Sequence, residues 1–100
     1  GTSQRYVSTV PGHALHLYNS PFVVEQAASF AEQIMNETGD PQERVQLAWQ
    51  RAFGREPSSE QSVQALDLVR WTRSELQSEE KAWASLCQAL LAANEFRYVD

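Results

Sequence analysis

The sequence predicts an all-α domain of about five helices. Helix-start and helix-stop signals recur from residue 9 to the end of the chain. No four-residue stretch combines alternating apolar residues with the flanking turn signals of a strand. Short connections of about two to six residues favour antiparallel neighbouring helices. We therefore expect one compact orthogonal or bundle-like domain over residues 1–100.

Composition and charge exclude several classes of partner. A chain of 100 residues with 42% hydrophobic residues can bury a core of its own. Its formal net charge is −5, and its eight basic residues are scattered, so we expect no nucleic-acid partner. No apolar run approaches the length of about 20 residues that spans a bilayer, so we expect no membrane insertion. The lone Cys87 cannot form an internal disulfide.

The first two predicted helices meet at Asn19. A short helix runs from about residue 11 to 18, with Pro11 suited to its first turn. A second follows, with Ser20 as N-cap and Pro21 at the first helical position. We expect Gly39 to end it in the left-handed conformation. Apolar residues at helical spacing predict its buried stripe: Phe22, Val23, Ala27, Phe30, Ala31 and Ile34.

The third predicted helix has the clearest start signal in the chain. Asp40 is placed as N-cap, Pro41 follows, and Glu43 stands three residues after the cap. Gly54 is expected to end this helix. The buried face should comprise Val45, Ala48, Trp49, Ala52 and Phe53.

Two further helices complete the prediction. Ser58 and Gln61 form a capping-box pattern that opens a helix over about residues 59–76. Its inward residues should be Val63, Leu66, Val69 and Leu76, with Leu68 and Trp71 widening the apolar surface. A last helix over about residues 79–94 should bury Ala82, Trp83, Leu86, Cys87, Leu90 and Ala93. Phe96, Tyr98 and Val99 are expected to form an extended or frayed tail.

Three segments in order resemble the C-terminal part of planctomycete-specific domain one. They are STVPGHALHLYNSPFVVEQA, RAFGREPSSEQ and AWASLCQALLAANEFRYVD. That family has no known function and occurs in large planctomycete proteins that commonly also carry a cytochrome c-like domain. In one departure from the family pattern, His13, His16 and Tyr18 make the first helix more polar. The residues that carry the resemblance are Asn19, Pro21, Phe22, Gly54, Arg55, Pro57, Asn94, Glu95 and Phe96.

The resemblance implies where the domain works and with what. It implies that the chain is the C-terminal fragment of a larger exported protein in an extracytoplasmic setting, either periplasmic or at the cell surface. The implied partner is the remainder of the parent chain or another protein, with a cytochrome-containing protein among the candidates. Arg55 and Glu95 have a structural interpretation: we expect Arg55 to contact Glu95 or backbone near the C-terminus, fixing the last helix.

Candidate reactive groups have simpler explanations. His13 and His16, three residues apart on a predicted helix, are weak candidates for a metal site because further ligands are missing nearby. Cys87 has apolar neighbours, which should raise its thiol pKa and favour burial over nucleophilic chemistry. Glu79 and Glu80 suit the first turn of a helix, where carboxylates interact favourably with the helix dipole.

These observations favour a non-catalytic helical interaction or packing module with no cofactor. Trp49 and Trp83 lie on predicted inward faces, whereas Trp71 lies off the main stripe beside Arg70 and Arg73. We therefore expect Trp71, with the two arginines, to contact a partner. The alternatives are an accessory part of a cytochrome-linked redox enzyme and a carbohydrate-binding module that uses Trp71 and Tyr98.

Overall fold

The computed structural model describes residues 20–99, with side chains for residues 20–93. These residues form four helices and no strand: α1 (Pro21–Glu37), α2 (Pro41–Phe53), α3 (Ser59–Leu76) and α4 (Glu79–Val99). The all-α prediction is confirmed. The short helix predicted over residues 11–18 lies outside the described residues.

The helix starts predicted at Ser20, Asp40 and Ser58 are confirmed. The Ser20 hydroxyl accepts a hydrogen bond from the amide of Val23 at 3.2 Å, and an Asp40 carboxylate oxygen accepts one from the amide of Glu43 at 2.9 Å. At the start of α3 the capping box is complete. The Ser58 hydroxyl accepts a hydrogen bond from the Gln61 amide at 3.0 Å, and the Gln61 side-chain oxygen accepts one from the Ser58 amide at 2.9 Å. Each cap satisfies a backbone donor that the helix itself leaves unpaired.

The two glycines predicted to end helices behave differently. Gly54 ends α2 in the left-handed conformation, with φ of 73°. For Gly39 the prediction is wrong, because its φ is not in the left-handed region. The chain instead leaves α1 through Thr38, which is extended with φ of −156°. The Thr38 hydroxyl accepts a hydrogen bond from the backbone amide of Asp40 at 3.1 Å. The residue after α1 is therefore bonded to the N-cap residue of α2.

A tight corner joins α3 to α4. Gln77 adopts the left-handed conformation, with φ of 52°, and donates its amide to the Arg73 carbonyl at 2.7 Å. The Ser78 hydroxyl accepts a hydrogen bond from the backbone amide of Lys81 at 3.1 Å and so caps the start of α4. At its other end α4 continues to Val99, so Phe96, Tyr98 and Val99 are helical and not extended, while the frayed end that was the other possibility stays a prediction.

Helix α4 is the centre of the fold. It contacts α1, α2 and α3, whereas α1 and α3 have no Cα atoms within 8 Å of each other. Five alanines in the shared core let the helices approach closely. The core consists of Ala27, Ala31, Ile34, Val45, Ala48, Trp49, Ala65, Val69, Ala82, Trp83, Leu86, Cys87 and Leu90.

The predicted burial of two helix faces needs correction. Helix α3 buries Ser62, Ala65, Val69 and Thr72. Val63 and Leu76 were expected inside, but they are 58% and 49% exposed. Of these four, Ser62, Ala65 and Thr72 are small or polar, so apolar character alone does not identify this buried face. Phe22, in the first turn of α1, is 69% exposed and also lies outside the core.

Candidate functional site

Trp71 presents a large aromatic side chain to solvent. It lies on α3 and is 64% exposed, whereas Trp49 and Trp83 are buried at 8% and 1% exposure. The prediction that separated Trp71 from the two core tryptophans is confirmed. An exposed indole of this size is the kind of side chain that dominates binding energy at protein interfaces.

The two arginines predicted beside Trp71 lie on other sides of α3. Arg70 donates to the carboxylate of Asp67 at 2.6 Å, and Arg73 donates to the carboxylate of Glu79 at 3.3 Å. Residues one or two positions apart do not share a helix face. Arg73 is therefore about 160° around the helix from Trp71. The structure does not gather the three predicted contact residues on one face.

Trp71 instead shares its face with residues at helical spacing. Leu68, three positions earlier, is 37% exposed. Gln64, four positions before Leu68, is also exposed, and so is Glu75, four positions after Trp71. We call Gln64, Leu68, Trp71 and Glu75 the α3 seam. The 4-3-4 spacing of these residues was visible in the sequence and would have located the seam.

A second cluster surrounds the carboxylate of Glu79 at the start of α4. Its oxygens accept hydrogen bonds from the Trp83 indole at 2.8 Å, from Arg44 at 3.3 Å and from Arg73 at 3.3 Å. Arg44 also donates to the Thr38 carbonyl at 2.7 Å, and its guanidinium lies 5.4 Å from the centre of the Trp83 ring. This Glu79 cluster therefore links α2, α3 and α4 with the connection that follows α1.

The surroundings of Glu79 favour its charged form. The hydrogen bond from Trp83 lowers the pKa of this carboxyl, as do Arg73 and Arg44, while partial burial opposes them. Sequence reasoning explained Glu79 as a carboxylate at a helix start and missed its partners. Arg44 is 35 residues away along the chain, so no local pattern indicates this pairing.

Cys87 is fully buried in the core, as predicted. Burial raises the pKa of its thiol to about 12. A thiol in this environment remains protonated near neutral pH and is a poor nucleophile. Cys87 therefore acts as a small apolar residue within the contact of α4 with its neighbours.

Among the described residues that carry the family resemblance, several lie at helix ends or in the loop between α2 and α3. Pro21 opens α1, Gly54 ends α2, and Pro57 is half-buried in the loop before α3. Arg55 donates to the Glu56 carbonyl at 3.3 Å and lies 5.8 Å from the centre of the Phe53 ring.

For the other predicted site residues, either the whole residue or its side chain lies outside the part of the chain that the structure describes. Asn94, Glu95 and Phe96 belong to α4, but their side chains lie outside the described part, so the contact predicted between Arg55 and Glu95 stays a prediction. Asn19, His13 and His16 also lie outside the described residues.

The comparison with family models identifies the group to which the chain belongs. The model described as "PSD1: Protein of unknown function (DUF1553)" matches residues 1–69, more than half of the chain. The chain belongs to the PSD1 family. This is a planctomycete cytochrome c-associated family, as the resemblance implied. Comparisons with curated proteins and with solved structures give no match.

The PSD1 match covers α1, α2 and part of α3. It includes the first two segments that carried the resemblance, while the third, residues 82–100, follows it. Within the α3 seam, Leu68 lies inside the matched residues and Trp71 lies two positions beyond them. The family description assigns no function.

Two open grooves lie on the described surface. One, of about 380 Å³, runs between α1 and α4 and is lined by Ala31, Met35, Glu80 and Lys81, among others. Another, of about 370 Å³, is lined by Leu47, Glu37, Glu43 and Glu56, among others. Among the side chains that the structure describes, those of residues 20–93, there is no group of three or more His, Cys, Asp or Glu placed to hold a metal ion. No helix in that range is long and apolar enough to cross a membrane.

Proposed function

We propose that this PSD1 domain is a non-catalytic helical interaction module whose contact surface is the α3 seam. The observation that carries the proposal is the 64% exposure of Trp71 on a regular helix, next to the partly exposed Leu68. Exposed apolar surface of this kind, with polar neighbours, is typical of a surface that a partner covers.

The chemically notable groups in the described residues have structural explanations, which supports a non-catalytic role. The Glu79 carboxylate is engaged by two arginines and an indole and so joins helices. The Cys87 thiol is buried and protonated. An acid–base or nucleophilic site requires such groups to converge on a cleft where a substrate can reach them.

The partner and the cellular setting of this module follow from family resemblance. We place the module outside the cytoplasm, at the C-terminal end of a larger protein. Its partner is the remainder of that protein or a second protein, with a cytochrome-containing protein as one candidate. The carbohydrate-binding alternative depends on Tyr98, whose side chain lies outside the described part.

Cross-linking of the parent protein tests this function. The parent would be isolated from the extracytoplasmic fraction, cross-linked, and analysed by mass spectrometry as wild type, Trp71→Ala and Val63→Ala. Val63 is a matched control because it lies on the same helix and is 58% exposed, but is off the seam. We expect Trp71→Ala to lose cross-links from α3 to a partner segment, and Val63→Ala to keep them. Equal cross-linking in all three proteins would contradict the proposal.

A further inference from the structure

Helix α3 contributes the least apolar surface to the shared core. Two of its residues, Ala65 and Val69, belong to the buried hydrophobic core, whereas each of the other helices adds three or more. The other two residues that α3 buries, Ser62 and Thr72, are polar. Burial of apolar surface supplies most of the free energy that holds packed helices together. Helix α3 is therefore the most weakly held of the four.

The packing of α1 does not depend on α3. Helix α1 contacts α2 and α4, and it has no Cα atom within 8 Å of one in α3. Its buried residues Ala27, Ala31 and Ile34 would therefore keep the contacts that α1 makes with α2 and α4 if α3 moved away. The remaining three helices still share Trp49, Trp83 and Leu86 as core residues.

Left-handed residues lie on both sides of α3. Gly54 precedes the loop that leads into α3, with φ of 73°, and Gln77 ends α3 with φ of 52°. The left-handed conformation is costly for a residue with a Cβ atom, so the packed corner must hold Gln77 in it. Arg73 makes two contacts there, accepting the Gln77 amide at its carbonyl and donating from its guanidinium to Glu79. Residues at the ends of elements are where a protein absorbs the backbone change of a hinge.

We propose that α3 opens as a separate unit about Gly54 and Gln77 while α1, α2 and α4 stay packed. Opening breaks the contact between Arg73 and Glu79 and relieves the left-handed strain at Gln77. An isolated helix of 18 residues is marginal in water, so the amide hydrogen bonds of α3 open when it leaves the core. This inference concerns the motion of the helix and holds whether or not a partner covers Trp71.

Native-state hydrogen exchange of the 100-residue chain, followed by NMR at low urea concentrations, tests the proposal. After correction for intrinsic exchange rates, the amides of Ala65 and Val69 should exchange at least about tenfold faster than those of Ile34 and Leu86. Their exchange should also depend less on urea, because the opening of one helix exposes less surface than global unfolding. Equal rates and equal urea dependence in α1, α3 and α4 would overturn the proposal.

A pair of core substitutions separates local opening from global unfolding. Ile34→Val weakens α1, which does not touch α3, and should speed exchange of the Leu86 amide about threefold to tenfold while leaving that of Ala65 unchanged. Val69→Ala should speed exchange at both amides, because its contacts are lost in the open state and in the unfolded state alike. If Ile34→Val speeds exchange at Ala65 as much as at Leu86, α3 opens only when the whole domain unfolds, and the proposal is wrong.

Discussion

A single carboxylate at Glu79 connects three helices of this domain. It accepts hydrogen bonds from α2 through Arg44, from α3 through Arg73 and from Trp83 within α4. Arg44 is only 11% exposed in its side chain, while Glu79 and Arg73 are 39% and 53% exposed. Solvent screens the contact to Arg73 more than the contact to Arg44. The contact between Glu79 and Arg44 should therefore contribute more to stability than the contact between Glu79 and Arg73.

The lowered pKa of Glu79 predicts acid sensitivity. A carboxyl whose folded pKa is below its unfolded value stabilises the fold above the unfolded value, and that contribution disappears as pH falls through the folded pKa. The contribution should be complete well above pH 4.5, the ordinary pKa of this carboxyl, and should disappear as the pH falls through the lowered pKa of the folded protein. Urea unfolding across this range should show that Glu79→Gln costs about 1 kcal/mol or less near neutral pH and flattens the acid limb.

Glu80→Gln is the matched control for this prediction. It removes the same charge from the same turn of α4, but Glu80 is exposed. It should keep the acid limb of the wild type. If Glu79→Gln and Glu80→Gln give the same pH profile, the Glu79 cluster does not stabilise the fold.

At the scale of helices, Gly54 and Gly39 form a natural pair for a substitution test. Gly54 has a left-handed backbone, Gly39 does not, and an added Cβ would meet no atom within 4 Å at either position. Backbone strain is therefore the difference between them. Gly54→Ala should lower the free energy of unfolding by about 1 kcal/mol. Gly39→Ala should leave it unchanged or raise it by up to about 1 kcal/mol, because alanine restricts the unfolded chain.

Thermal unfolding of both variants checks this prediction. The midpoint should fall for Gly54→Ala and should stay level or rise for Gly39→Ala. A fall for Gly39→Ala equal to that for Gly54→Ala would show that both glycines need their conformational freedom. That result would contradict the extended exit through Thr38 at the end of α1.

Helix ends were predictable from sequence because their chemistry is local. Ser20, Asp40 and Ser58 each bond to an amide three residues away, so the pattern and the contact occupy the same few residues. Gly39 was mispredicted because Thr38 offered a competing exit from the helix. The presence of Gly39 just before the Asp40 cap did not show whether α1 would end in a left-handed glycine or in an extended Thr38.

Helix faces were harder to predict where small or polar residues form the contact. In α3 the buried Ser62 and Thr72 carry no apolar signal, while the exposed Val63 carries a strong one. The α3 seam was partly anticipated through Trp71, but Arg70 and Arg73 were chosen by nearness along the chain. The Glu79 cluster joins positions far apart in sequence and required the fold to be known.

At the scale of the whole domain, α4 organises the structure. It lies in contact with α1, α2 and α3, and its Trp83 is almost completely buried. The PSD1 match ends at residue 69, before α4 begins at Glu79. The matched helices α1 and α3 do not contact each other, so α4 supplies much of the shared core. Stability of the domain should therefore depend on residues beyond the matched segment.

Comparison of Trp83 and Trp71 tests this division between a folding helix and a contact surface. Trp83→Ala removes a buried side chain at 1% exposure and should lower the free energy of unfolding by about 3–5 kcal/mol. Trp71→Ala should change it by less than about 0.5 kcal/mol, because the indole is exposed. Urea unfolding gives both values. A large loss of stability in Trp71→Ala would assign Trp71 to the fold itself and remove the reason for treating the α3 seam as a binding surface.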